Sequence, residues 1–362
     1  MAQTVLKTPL HDAHIRAGGR MVEFAGYDMP VQYASIIAES KAVRTHAGMF
    51  DVSHMARLRL TGERTLEFLE WVTANDVATL GDNRGQYSML PNERGGVVDD
   101  IIVYHIHDDE YAMVVNAANH EKDVNWLNSQ NKFGVKIEDL TDESAMIAVQ
   151  GPHAVELLAE HSDSYEALKN APAFGVVNCT IGDVAHCFAA RSGYTGEDGY
   201  EIICAANQGE ALWNALLDMG VMPCGLGSRD TLRVEAGLPL YGHELTDDMN
   251  PIAAGLGWVL GKTKTFIGSK FINEARKNGT SHKLLGIKFG TKRVAVPGSA
   301  VTVEGVKVGE ISSGVYSPTL DCGIAFAYIN SAIALGTPCA VDFRGKPEPG
   351  EIVGKRFLRQ PK

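Results

Sequence analysis

The chain has 362 residues, of which 45% are hydrophobic, 21% charged and 7% aromatic; this is ordinary globular composition and excludes a disordered, collagen-like or coiled-coil protein. The length is about twice that of a typical single domain and predicts two or three domains. The net charge of −11 argues against a nucleic-acid partner, but residues 262–362 hold 16 Lys+Arg against 7 Asp+Glu while the first 261 hold 17 against 37, so an acidic body precedes a basic C-terminal region.

The opening Met-Ala-Gln-Thr-Val-Leu-Lys-Thr lacks the apolar run and cleavage site of a secretory signal. No apolar stretch approaches the roughly 18 residues of a membrane span. Both point to a cytoplasmic protein without a membrane partner. The first 52 residues read as turns around one helix, about Ser35 to His46, with Ser35 as N-cap. Arg57–Leu60 reads as a strand, and Leu66, Leu69 and Val72 mark one face of a short helix.

Val97–His105 and Tyr111–Asn116 are β-branched runs around the acidic loop Asp108-Asp109-Glu110, which predicts a β-hairpin. With a three-residue turn, His107 pairs with Tyr111, and Asp100, Ile102, Tyr104 and Asn116 share a face. A helix over Ala118–Asn128 follows. A second hairpin is predicted between His186–Arg191 and Gly199–Cys204, across a glycine-rich loop. Leu212, Leu216 and Met219 repeat at helical spacing up to Gly220. Ser228–Ala236 reads as a helix opened by Ser228, with Asp230 in its first turn.

From Lys283 the texture changes. Short apolar strands (Leu284–Phe289, Ala300–Val303, Val306–Ile311, Gly323–Ile329, Cys339–Phe343) alternate with Gly and Pro turns, which predicts a small all-β domain. Thr265–Thr280 is the link, with room for a helix of its own.

The six cysteines (Cys179, Cys187, Cys204, Cys224, Cys322, Cys339) are dispersed and form no C-x-x-C pair. They read as buried thiols in a reducing compartment, not as a disulfide frame or zinc site. The sequence contains no phosphate loop, no H-E-x-x-H and no nucleophile elbow. His105 and His107 lack a third ligand, so no metal site is predicted.

Three constellations remain. Arg94-Gly-Gly-Val-Val-Asp99-Asp100 sets two carboxylates inside an apolar strand, where Asp is disfavoured; only one of the two points into a given cavity. The bland alternative is one solvated acid and one loop cap. Arg191-Ser-Gly-Tyr194-Thr-Gly-Glu197-Asp198-Gly-Tyr200-Glu201 combines glycines, aromatic stacking surface and carboxylates. A carboxylate that accepts two parallel N–H bonds suits an amino-pyrimidinone edge such as a pterin; the alternative is a glycine-rich hairpin with exposed acids. Cys224-Gly-Leu-Gly-Ser-Arg229-Asp230 sets an arginine at a helix N-terminus, where the pair can hold an anion. Its alternative is a capped helix with Arg229 paired to a nearby acid.

These segments, with Gly48-Met-Phe-Asp-Val-Ser-His-Met55, Ala74-Asn-Asp76, Val115-Asn-Ala-Ala-Asn119 and Ser312-Ser-Gly-Val-Tyr-Ser-Pro-Thr-Leu320, occur in one order along essentially the whole chain. Together they resemble the aminomethyltransferase family, the T-proteins of the glycine cleavage system. The resemblance implies an α+β fold: a three-domain clover leaf around a central folate cavity, with a C-terminal jelly-roll-like barrel. It implies a discontinuous first domain (1–52 plus 141–265), an inserted second domain (53–140) and a barrel (280–362).

The implied co-substrate is tetrahydrofolate, and the implied partner is the H-protein, whose lipoyl arm carries an aminomethyl group on sulfur. Transfer of that carbon gives 5,10-methylenetetrahydrofolate, ammonia and dihydrolipoyl H-protein. Loss of thiolate or ammonia leaves an iminium-like carbon, and a carboxylate near the folate nitrogens orients them and assists proton movement. Carried over by motif, Asp100 is that carboxylate and Asp99 faces away. Glu201 is the acid that grips the pterin edge. Tyr87, Tyr104, Asn116 and Tyr194 line the folate cavity, Met55 packs against it, and Arg229 addresses the benzoyl-glutamate end.

Tyr27 replaces the family's common Trp. The C-terminal Lys355-Arg356-Phe357-Leu358-Arg359 lacks the usual Pro, which leaves Arg359 outside the expected site. Two alternatives share the fold: a folate-dependent demethylase acting on a sulfonium or N-methyl amine, and a non-catalytic iron–sulfur assembly factor. The latter carries a reactive cysteine signature that is absent here. H-proteins are acidic, so the basic C-terminal region, Lys292 and Arg293 in particular, is the expected docking aid.

Overall fold

Ser35 does what its position predicts: its Oγ accepts a hydrogen bond from the Ala38 N–H at 3.1 Å and caps the helix Ile36–Thr45. The computed structural model describes residues 5–358 of the chain. Its contacts divide into two compact units. The first runs to Glu70 and takes in Asp76–Ser88 and Ile101–Arg229; the second holds Trp71–Asn75, Met89–Asp100 and the chain from Asp230 on.

The first unit is built on a six-stranded sheet in the order Val176–Ile181, Val184–Ala190, Gly199–Ala205, Ser144–Gln150, Gly48–Asp51, Met222–Pro223. Only the last pair is parallel. The strand Ser144–Gln150 is buried along its whole length. Its Ile147 and Val149 join Tyr200, Ile202, Leu212, Trp213 and Leu216 in a continuous core, each side chain contributing about 1.5–3 kcal/mol by leaving water. The helix Gly209–Asp218 buries Leu212, Trp213 and Leu216 on one face, as the spacing predicts.

A five-stranded antiparallel sheet follows the order Arg84–Pro91, Val97–His107, Glu110–Val115, Ala56–Thr61, Lys136–Asp139. The predicted hairpin is present in a different register. His105, not His107, faces Tyr111, and a bulge separates His105 from His107. The turn is only Asp108-Asp109, with Asp108 at φ +45°. The slip is two residues, so Ile102 and Tyr104 keep a common face, opposite Val114 and Ala112.

Several elements went unread, two of them because their residues conceal them. The hairpin Arg20–Phe24/Tyr27–Gln32 turns on Ala25 and Gly26, both at positive φ, a geometry that Ala does not advertise. The strand Pro347–Val353 carries Pro347 and Pro349 yet pairs along Pro338–Asp342.

That strand closes the C-terminal barrel of the second unit. Its order is His282–Phe289, Cys322–Asn330, Val306–Ser317, Ala300–Val303, Pro338–Asp342, Pro347–Val353, and then back to the first strand through Ile287 opposite Ile352. The α+β class and the C-terminal all-β barrel are as expected. The link carries the helix Ser269–Asn278.

The Ser312–Leu320 segment is held by two fully buried acids. Ser312 and Ser313 hydroxyls both donate to Glu244 Oε1 at 2.6 Å, while Ser317 and Thr319 donate to Glu235. Lys292 and Arg293 are ion-paired within the barrel domain, to Asp321 at 2.6 Å and Glu348 at 2.7 Å. Among the described residues no helix is long and apolar enough to cross a membrane.

Candidate functional site

In the first unit, Glu201 lies on the strand Gly199–Ala205, between Ala190 and Ala148 of the flanking strands. It is 4% exposed. Its Oε2 accepts a hydrogen bond from the Ser192 hydroxyl at 2.6 Å, and Ser192 Oγ lies 3.2 Å from the Tyr104 hydroxyl. Burial pushes the Tyr104 phenol well above its ordinary pKa, and the Glu201 carboxylate adds to the rise. Tyr104 packs edge-to-face on Phe188, with ring centroids 5.5 Å apart. It needs Gly85 beneath it: a Cβ there would sit 2.3 Å from its ring.

The Arg229 guanidinium lies 4.9 Å from the centre of the Tyr194 ring and 6.0 Å from that of Phe50. Its Nη1 is buried and has no hydrogen-bond partner. Burial lowers the Arg229 pKa, with Glu201 and then Tyr194 opposing the fall. A cation and an anion are therefore electrostatically coupled while the cation still lacks an acceptor. Leaving such a donor unpaired costs about 1–3 kcal/mol or more, which an added oxygen acceptor would offset.

The helix N-terminus itself is not open to an anion. Glu39 Oε2 accepts from the Gly225 N–H at 2.9 Å and from the Ser228 hydroxyl at 3.0 Å. The helix Leu226–Ala236 thus starts before Ser228, and the protein's own carboxylate sits at its positive end. Of the pair read from the sequence, the arginine alone is left for a ligand.

Four of the eight predicted residues, Tyr104, Tyr194, Glu201 and Arg229, are thus brought together. Met55, Tyr87 and Asn116 are half-buried and belong to the same unit. Met55 follows the strand Gly48–Asp51, and its carbonyl accepts from Arg57 Nη1. Tyr87 is on Arg84–Pro91, and Asn116 directly follows Glu110–Val115. Asp100 belongs to the second unit. Along the strand Val97–His107, Asp99 is fully buried and Asp100 half-buried, so the two acids differ as strand alternation requires. Arg359 lies outside the described residues.

The sequence reading missed three contributors. His54 is buried with an unpartnered Nδ1. Burial brings its pKa down to about 4; Asp51 opposes this, while Arg229 and Arg57 deepen it, so the imidazole is neutral at pH 7. Gln150 and Arg44 hold the glycine-rich loop. A glutamine closing the apolar run Met146–Val149, just before Gly151-Pro152, was the available signal for Gln150.

Comparison with known proteins gives the family of the chain. The GCVT N-terminal domain family matches residues 10–264, and the glycine cleavage T-protein C-terminal barrel domain family matches residues 282–358. An aminomethyltransferase of Deinococcus deserti is 46% identical over 363 residues, covering 99% of each chain. One from Thermus thermophilus is 45% identical over 355 residues, covering 97% of this chain and 99% of its own. The crystal structure of glycine cleavage system aminomethyltransferase T from Bartonella henselae superposes with a TM-score of 0.90 at 32% identity, over 98% of both chains. The chain belongs to the glycine cleavage T-proteins, a family of aminomethyltransferases.

Proposed function

We propose that this enzyme moves the aminomethyl carbon of the lipoylated H-protein to tetrahydrofolate, releasing ammonia and forming 5,10-methylenetetrahydrofolate. The observation that carries the reading is the half-buried Arg229, whose Nη1 is buried and unpartnered, coupled to Glu201 and faced by Tyr194. Folate offers what such a site requires: paired N–H donors on the pterin edge, an aromatic face, and oxygen acceptors. Bound tetrahydrofolate supplies the nucleophilic nitrogens.

Glu201 accepts the two pterin N–H bonds, with the Ser192 hydroxyl also donating to its Oε2. Tyr87, Tyr104, Asn116 and Met55 line the ligand. Arg229, which matches a folate-binding arginine of the family, donates to an oxygen of the ligand, on our reading the benzoyl-glutamate carboxylate. Its coupling to Glu201 supports the pterin carbonyl as a second acceptor. Comparing tetrahydropterin with tetrahydrofolate binding in Arg229→Gln separates the two: a loss for both ligands favours the pterin, a loss for tetrahydrofolate alone the glutamate.

Asp100 is the carboxylate that orients the reacting nitrogens and assists proton movement. Asp100→Asn is expected to slow tetrahydrofolate-dependent ammonia release from loaded H-protein by about 10²–10⁴-fold while tetrahydrofolate still binds. Undiminished turnover in that variant sinks the assignment. Turnover of a methyl sulfonium or N-methyl amine, with none of the aminomethyl carrier, favours a demethylase of the same fold.

The three-domain division, 1–52 plus 141–265, 53–140 and 280–362, is part of the same reading. So is a cytoplasmic location, supported by six buried cysteines, none in a disulfide.

A further inference from the structure

Gln150 ends the strand Ser144–Gln150 and is fully buried. Its amide is turned onto the loop that joins Val184–Ala190 to Gly199–Ala205. Nε2 donates to the Ser192 carbonyl at 2.9 Å and to the Val149 carbonyl at 3.2 Å; Oε1 accepts from the Thr195 hydroxyl at 2.9 Å. Thr195 Oγ1 in turn accepts from the Glu197 N–H at 3.2 Å. The loop presses so closely that a Cβ on Gly193 would lie 1.8 Å from Gln150 Oε1. Arg44 Nη1 also grips the loop, donating to the Thr195 carbonyl at 2.7 Å and to Glu197 Oε1 at 2.8 Å.

The amide therefore clamps the loop on either side of Gly193-Tyr194. The residue at one end of the clamp, Ser192, holds Glu201 through its hydroxyl. The residue inside it, Tyr194, faces Arg229. The task needs a donor for a carbonyl and an acceptor for a hydroxyl at one side-chain end. A primary amide supplies both; a carboxylate supplies acceptors only.

We propose that Gln150 is a positioning residue for ligand recognition: it fixes Ser192 and Thr195, so that Glu201 and Tyr194 are held in their binding geometry. The proposal rests on the folate reading above. Gln150 acts through the loop and touches neither ligand nor reacting atoms, so it sets tetrahydrofolate affinity and not the chemical step.

The test uses full-length wild type, Gln150→Glu and Thr195→Val. Tetrahydrofolate binding is read by calorimetry, and kcat and KM are read with loaded H-protein. Gln150→Glu turns a donor into an acceptor against the Ser192 carbonyl. It is expected to raise Kd and KM for tetrahydrofolate about tenfold, with kcat within about threefold and the KM for H-protein unchanged. Thr195→Val, which removes only the hydroxyl, is expected to shift the same two constants about threefold. The double variant should show less than the product of the two effects, since both act on one clamp.

Unchanged tetrahydrofolate constants in folded Gln150→Glu overturn the proposal, as does a loss confined to kcat. If Gln150→Glu does not fold, Thr195→Val decides alone, and unchanged constants there overturn it. Wild type that fails to bind tetrahydrofolate overturns the folate reading itself; wild type that binds, with variants that bind equally, overturns the positioning role only.

Discussion

Arg229 and Arg233 stand about one turn apart on the helix Leu226–Ala236, and their surroundings differ sharply. Arg233, 1% exposed, donates from Nε to Asp230 at 2.8 Å, from Nη1 to Glu244 at 2.7 Å and from Nη2 to Ser313 at 2.7 Å. Arg229 has two aromatic faces and a buried Nη1 with no acceptor. Arg233 belongs to the second unit and Arg229 to the first. Charge and a buried Nη1 are common to both, so neither identifies the binding residue. What separates them is how many of their donors the protein itself satisfies.

The largest effect that tests this contrast is on stability. Arg233→Met leaves Glu244 without its cation and is expected to cost about 3–5 kcal/mol in urea unfolding. Arg229→Gln should reverse the pattern. Stability should stay within about 1 kcal/mol of wild type, because an under-satisfied buried charge is removed, while tetrahydrofolate binding loses about 1.5–3 kcal/mol. If Arg229→Gln unfolds the chain as readily as Arg233→Met, the distinction fails.

A third test asks whether saturation, and not location, is the criterion. Asp51 belongs to the first unit but is fully served, by His14 at 2.8 Å, Thr8 at 2.7 Å and the Ser53 N–H at 2.8 Å. Burial alone would raise its pKa; the hydrogen bond and charge of His14, then Ser53 and Thr8, bring it down to about 2. A folded-state value below the ordinary 3.8 stabilises above that value, and the contribution is lost as pH falls toward 2. It amounts to roughly 2 kcal/mol. Unfolding free energies between pH 5 and 2.5 should therefore fall more steeply in wild type than in Asp51→Asn.

The smallest effect concerns the barrel surface. Lys292→Glu disrupts an exposed pair with Asp321, and its unfolding midpoint should barely move; Arg293→Glu sets a like charge against the buried Glu348 and should lower the midpoint. If the basic barrel orients an acidic H-protein, association should weaken a few-fold at low salt and converge with wild type at high salt. No change would leave the charge split as domain composition.

Much of the scaffold was legible because its signals are local. Ser35 announces a cap three residues before the Ala38 N–H it serves, and Gly and Pro punctuate most barrel strands. The register of Val97–His107 was not legible, because a bulge between His105 and His107 trades a three-residue turn for a two-residue one. At the site, the side chains with chemistry to offer, Glu201, Arg229 and Tyr194, stand in readable motifs. Their supports do not: Gln150 reaches Ser192 across 42 residues, and Glu39 reaches Gly225 across 186. No periodicity in the sequence encodes a partner at that distance. The loop clamp and the capped helix appear only once the sheet is assembled.

The barrel's first strand has one partner in Cys322–Asn330 and the other in Pro347–Val353, the last strand of the barrel. During synthesis, then, His282–Phe289 leaves the ribosome with an unpaired edge and keeps it until more than sixty further residues have emerged, counted from Phe289 to Val353. No partial barrel along the way is free of exposed edges, and such edges invite pairing between nascent chains. Closure thus waits for the last of the six strands to be made. A chain cut short before Pro347 would carry two open edges where the finished barrel has none.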